Sequence, residues 1–171
     1  MRLYLIRHAT AADAERFAGP DEDRPLTHRG RVELRAVLPQ VAAEEAPPRM
    51  IWTSPLVRAV QTAEAVLSLW APGAELRVTR SLLSGADPAE VLEELHHEAV
   101  VSPLALVGHE PHLGQLFMRL INQPQDLFSM PKAAVLRLRF RTGESPLGAF
   151  RALYEPGGKP PTTDLRDLVG D

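Results

Sequence analysis

"LIRHAT", residues 5–10, sets an arginine and a histidine side by side at the end of a run that otherwise reads as a buried strand. A core position rejects Arg7, because desolvating an unpaired guanidinium is costly. An ordinary surface strand has no use for the apolar lead-in at residues 3–6. Both halves of the stretch fit a strand that works as an arm, carrying Arg7 and His8 to the lip of a sheet for a chemical purpose.

The same shape recurs twice further along. "MIW", residues 50–52, runs into Thr53, Ser54, Pro55 and, a turn into the next helical segment, Arg58. "LALV", residues 104–107, runs into Gly108 and His109, with Pro111 opening the helix that follows. In open α/β sheets functional groups collect outside the carboxyl ends of the strands, so three neighbouring parallel strands bring these residues to one crevice. Two helix N-termini point there as well. Their free N–H groups and dipoles favour an anion, and two guanidinium forks suit the oxygens of a phosphate. A neutral imidazole can take up a phosphoryl group covalently when its other ring nitrogen donates to a fixed acceptor, which suits His8. His109 is more useful protonated, helping the arginines to neutralise the transition state.

Strand patterns fall at residues 3–6, 49–53, 74–78, 103–108, 133–140 and 148–154, and helical spacing at 27–45, 56–70, 88–97 and 111–121. Pro39 is expected to kink or shorten the first helix. This order predicts an α/β three-layer sandwich, a mostly parallel central sheet with helices on both faces, whose last two strands form an antiparallel or edge portion. A single domain is expected over residues 1–155. Residues 156–171 read as a loosely ordered C-terminal tail, with a short amphipathic turn near Leu165 to Val169.

A chain of 171 residues buries enough surface for a core without cross-links, and its lack of cysteine fits a reducing cytoplasm. The net charge of −3 supplies no global field for nucleic acid or an anionic membrane. No window approaches the roughly 18 apolar residues of a spanning helix, and the N-terminal apolar stretch is too short for a signal peptide. The expectation is a soluble cytoplasmic protein with neither a nucleic-acid nor a membrane partner. Arg137, Arg139 and Arg141 share one face of an alternating strand. With two Trp, two Tyr and five Phe in the whole chain, they read as a solvated sheet edge guarded by charge and not as a base-stacking surface.

The trio "LIRHA", "TSPLVRAVQTAE" and "LVGHEP" resembles the signature motifs of the histidine phosphatase superfamily, which has the phosphoglycerate mutase-like fold. "DEDRPLTHRG" and the short length are most similar to its SixA-like phosphohistidine phosphatase branch, and the similarity runs from residue 1 to residue 155. The resemblance implies a hydrolase in which His8 is the phosphorylated nucleophile and Arg7, Arg58 and His109 form the phosphate pocket. It also implies phosphohistidine on a protein as the substrate; because Arg7, Arg58, His109 and two helix N-termini can neutralise a phosphate and no carboxylate cluster accompanies them, no metal and no other cofactor is expected. A phosphatase of small phosphomonoesters is the alternative. A non-catalytic phosphate-recognition module is the alternative of another class, and an intact His8 speaks against it.

Two positions depart from the superfamily's commonest pattern. Ala9 stands where glycine usually follows the nucleophile. In TRSLLSGADP, residues 79–88, Ser84 lies near the place where many members carry a glutamate as general acid. Asp87 has another task, since Asp87, Pro88 and Glu90 spell a capping box. His109 and His112 have metal-ligand spacing without a third ligand, which argues against a metal. His96 and His97 read as a solvated helix end. Thr27 is expected to cap a helix that Gly30 lets approach the sheet, with His28 and Arg29 structural. Arg24 either reaches the distal part of a substrate or pairs with Asp21 or Asp23.

Overall fold

Leu3, Tyr4, Leu5 and Ile6 are all fully buried, as a strand covered by helices on both sides requires. They belong to β1 (Arg2–Arg7) in a computed structural model that describes residues 1–97, 101–141 and 147–169. The chain continues through α1 (His28–Glu44), β2 (Met50–Thr53), α2 (Val57–Leu69), β3 (Glu75–Val78), α3 (Pro88–His97), β4 (Leu104–Gly108) and α4 (His112–Leu120). It ends with β5 (Val135–Phe140), β6 (Gly148–Tyr154) and the short α5 (Arg166–Val169).

The six strands form one sheet in the order β3-β2-β4-β1-β5-β6. Strands β1 to β4 are mutually parallel, while β5 runs antiparallel to both β1 and β6. Alternate residues divide between two apolar layers. Tyr4, Ile6, Ile51 and Val107 pack with Leu34, Val37, Leu38 and Val41 of α1 and Ala59, Ala63 and Val66 of α2. Leu3, Leu5, Trp52 and Leu106 pack on the opposite face with Val91 and Leu95 of α3 and Leu113, Leu116, Phe117 and Leu120 of α4. Each fully buried Leu, Ile or Phe contributes about 1.5–3 kcal/mol relative to exposure, so the arms that carry Arg7, Thr53 and Gly108 are rigidly seated.

Capping residues start the helices where the sequence places them. Thr27 Oγ1 accepts the Gly30 N–H at 3.1 Å. A Cβ on Gly30 would lie 2.2 Å from the Thr10 carbonyl oxygen, so only glycine lets α1 meet the segment that follows β1. Asp87 Oδ1 accepts the Ala89 N–H at 2.8 Å while Glu90 Oε1 accepts the Asp87 N–H at 3.3 Å, the two halves of a capping box.

Two expectations are corrected. Of the kink or shortening expected from Pro39, the shortening does not occur, since α1 continues to Glu44. Pro39 and Arg35, the residue whose carbonyl loses its N–H partner, are both exposed. Strand β5 is not a sheet edge, because β6 lies outside it. Arg137 Nη1 instead lies 3.0 Å from the buried Glu45 carboxylate, which also receives the Tyr154 hydroxyl. After β6 the described residues as far as 169 make contacts with the core. Thr162 exchanges backbone hydrogen bonds with Leu153, and Leu165, Leu168 and Val169 pack against the α4 layer. No helix among the described residues is long and apolar enough to cross a membrane.

Candidate active site

Register brings the three polar strand ends together. Arg7 pairs with Gly108 and Thr53 with Val107, so β1, β2 and β4 finish at the same edge of the sheet. The first residues beyond each strand stay tied to the central one: His8 N–H donates to the Gly108 carbonyl and Ser54 N–H to the Val107 carbonyl, both at 3.0 Å. His8 and His109 thereby face each other with ring centroids 5.0 Å apart. Arg58 enters from the first turn of α2, 5% exposed, and its charge and that of Arg7 both bear on His8.

The ring nitrogens of the two histidines are used differently. His8 Nδ1 lies 2.8 Å from the Ala9 carbonyl oxygen, an acceptor, so it carries the proton and Nε2 holds the lone pair. His109 Nε2 lies 2.8 Å from Ser54 Oγ, and its Nδ1 is buried without a partner. Burial, reinforced by the cations around them, pushes His8 down to about 4 and His109 down to about 3. Both imidazoles are therefore neutral near pH 7 in this structure. Burial and the charge of Arg58 thus disfavour a protonated His109 in the phosphate-free site, and a bound phosphate dianion would raise both values.

The two arginines are held by part of their donor set. Arg7 Nη1 donates to the Met130 carbonyl at 2.6 Å, while its Nε is buried and unpaired. Arg58 donates from Nη1 to the Asp21 carbonyl and from Nη2 to Asp21 Oδ2, and its Nε is likewise buried and unpaired. Unsatisfied nitrogens on Arg7, Arg58 and His109 thus belong to residues of one site; the two guanidinium N–H groups suit a tetrahedral oxyanion, and His109 Nδ1 joins them as a donor in the tautomer whose Nε2 accepts from Ser54.

Sequence reasoning did not assign roles to Ser54 or Thr62, and it offered Asp21 as a partner for Arg24 and not for Arg58. Thr62 Oγ1 donates to the Arg58 carbonyl at 2.8 Å and accepts the Ala9 N–H at 3.3 Å, so it links α2 to the turn after His8. Ala9 fits that turn with its methyl buried, and the non-glycine residues with positive φ among the described ones are Asn122 and Ala133. Glu110 Oε1 accepts the Gly114 N–H at 3.0 Å. Burial raises the Glu110 carboxyl and the charge of Arg7 opposes that shift. Arg24 pairs with Asp21, as one of its two readings had it. His96 and His97 are exposed, and His112 is fully buried with both ring nitrogens unpaired. Ser84 is exposed on the turn after the 3-10 segment Arg80–Leu82. Among the described residues no group of three His, Asp or Glu side chains is placed to hold a metal ion.

The family model of the histidine phosphatase superfamily (branch 1) matches residues 3–82, a span that contains Arg7, His8 and Arg58. An uncharacterized protein of Picosynechococcus sp. is 34% identical over 146 residues, 81% of this chain and 85% of that protein. Among solved structures, the protein histidine phosphatase SixA complexed with tungstate superposes with a TM-score of 0.76 at 27% identity, covering 91% of this chain and 97% of that one. The alpha-ribazole phosphatase of Shigella flexneri shares the fold, with a TM-score of 0.63 at 18% identity over 94% of this chain and all of that one (100%).

Proposed function

Because the chain belongs to the histidine phosphatase superfamily, on its SixA-like branch, and is a phosphatase, we propose that it hydrolyses phosphohistidine on a protein by way of a phosphoryl group carried on His8. The observation that carries this reading is the hydrogen bond from His8 Nδ1 to the Ala9 carbonyl, which leaves the Nε2 lone pair as the nucleophile.

In the first step that lone pair attacks phosphorus. The new P–Nε2 bond forms as the substrate's P–N bond breaks, and the departing imidazole, protonated beforehand by solvent, leaves neutral. Arg7, Arg58 and His109 offer their unpaired N–H groups to the equatorial oxygens while charge is redistributed there. Phosphorylated His8 still carries its Nδ1 proton and is therefore cationic, the form that leaves most readily. In the second step water attacks phosphorus, the P–Nε2 bond breaks, inorganic phosphate departs, and His8 returns to its neutral state with no proton to exchange.

Supporting a protein substrate are the SixA likeness and a neutral leaving group that needs no acid from the enzyme. The test is a comparison of the purified protein on a histidine-phosphorylated carrier protein, a phosphoserine peptide, sugar phosphates and nucleotides. The expected result is highest kcat/KM on the phosphohistidine protein. A clear preference for a small ester overturns the substrate assignment, and binding without turnover of any of them overturns the enzyme.

A further inference from the structure

Resting on the reading of Arg58 as a phosphate ligand, we propose that Asp21 is the positioning residue for Arg58, and that Arg24 is the clamp that holds Asp21 in place. A guanidinium at the end of a long, flexible stem has much rotamer freedom to lose. A phosphate ligand must nevertheless be aimed before substrate arrives.

The contacts of Arg58 show how that aim is set. Its Nη1 donates to the Asp21 carbonyl at 2.7 Å and its Nη2 to Asp21 Oδ2 at 2.9 Å. One residue thus supplies two acceptors at the outer end of the fork. Nε is left without a protein partner, and its N–H, beside the second hydrogen of the terminal nitrogen on the same edge, is what the fork has left for an oxyanion.

Asp21 needs holding in its turn, because its side chain is 60% exposed. Arg24 takes the other carboxylate oxygen, with Nε at 2.8 Å and Nη2 at 2.7 Å from Oδ1, and anchors its own Nη1 on the Ala12 carbonyl at 2.6 Å. The loop that bears both residues is closed at its base by the Ala12 N–H bond to the Pro25 carbonyl. A chain of contacts therefore runs from the loop base through Arg24 and Asp21 to the fork of Arg58. An exposed carboxylate contributes little to global stability, so orientation of Arg58 is what its loss should disturb.

The test uses the full chain, with kcat/KM on an aryl phosphate and the inhibition constant of tungstate as readouts for D21A, D21N, R24A, R58A and D21A/R58A. D21A should lower kcat/KM and weaken tungstate about tenfold without moving the thermal midpoint appreciably. D21N, which keeps an amide oxygen as acceptor, should lose less, and R24A should weaken both readouts in the same direction as D21A. In the R58A background, D21A should add nothing. Unchanged constants in D21A, a further loss from D21A when Arg58 is already absent, or tighter tungstate binding in D21A would each overturn the proposal; the last would make Asp21 a competitor for the phosphate place. If R58A itself leaves turnover and tungstate binding intact, the pocket reading fails, and the proposal with it.

Discussion

The imidazoles of His8 and His109 lie with ring centroids 5.0 Å apart and planes inclined at 54°, and each is fixed through a different nitrogen. His8 is keyed through Nδ1 to a carbonyl, whereas His109 is keyed through Nε2 to the Ser54 hydroxyl. The phosphoryl group should therefore be found on Nε2 of His8. Trapping with labelled substrate under alkaline quench, followed by phosphorus NMR of the peptide containing Leu5 to Thr10, reads the position directly; label on Nδ1 or on another residue contradicts it. His8→Ala should lose on the order of a thousandfold or more in kcat, as removal of a covalent nucleophile does.

The same burial sets a pH dependence. His8 must be neutral to attack, and protonation claims it only near pH 4, where a free imidazole would already be protonated near 6.5. Because kcat/KM reports the free enzyme, it should hold from pH 7 to pH 5 once corrected for the substrate's own second ionisation. Stability moves in the same range for a related reason. The unfolded chain takes up these protons below about pH 6.5 and the folded one does not, so stability is unaffected above that value and is lost as pH falls toward the folded values. The thermal midpoint should decline over that window, and His109→Gln should flatten the decline. An acid limb in kcat/KM near pH 6.5 would contradict the assignment.

Arg58→Ala should reduce kcat about a hundredfold or more, by analogy with the loss of a preorganised oxyanion donor. Arg58→Lys should recover little, because an ammonium cannot meet the Asp21 carbonyl and carboxylate with one end and an oxyanion with an adjoining edge. Arg7, Arg58 and His109 already furnish the donors that a metal ion would otherwise replace, so turnover should persist in EDTA. Loss of turnover in chelator, restored by a divalent ion, would contradict that division of labour.

Local chemistry made the fold legible. Apolar runs ending in Arg7, Thr53 and Gly108, and caps such as Thr27 and Asp87, are signals carried within a few residues. The convergence of Arg7, His8, Arg58 and His109 was legible for the same reason, since parallel strands end together. What the sequence hid were contacts between distant segments. Ser54 meets His109 across 55 positions and Asp21 meets Arg58 across 37, and no periodicity encodes such pairs. Arg137 misled because alternation says which face a residue takes and not whether its strand is an edge. Pro39 misled because a helix that turns the proline toward water tolerates the lost hydrogen bond.

The commitments of Asp87 and Glu110 make the last prediction. Asp87 Oδ1 is committed to the Ala89 N–H and Glu110 Oε1 to the Gly114 N–H, while Ser84, which the sequence resemblance puts near the place of a glutamate, is exposed. A general acid typically contributes about a hundredfold to ten-thousandfold when the leaving group is a poor one. Without one, rates on oxygen esters should fall steeply as the leaving group becomes more basic, while phosphohistidine and phosphoramidate, whose nitrogen solvent can protonate, stay fast. Ser84→Glu should raise the rate on an alkyl phosphate and leave phosphohistidine nearly unchanged. The deciding measurement sets an alkyl phosphate against phosphohistidine under identical conditions. Equal efficiency in the unaltered enzyme would make Glu110, whose carboxyl burial already raises, the acid that had been missed. Glu110→Gln would then abolish the alkyl activity and spare phosphohistidine.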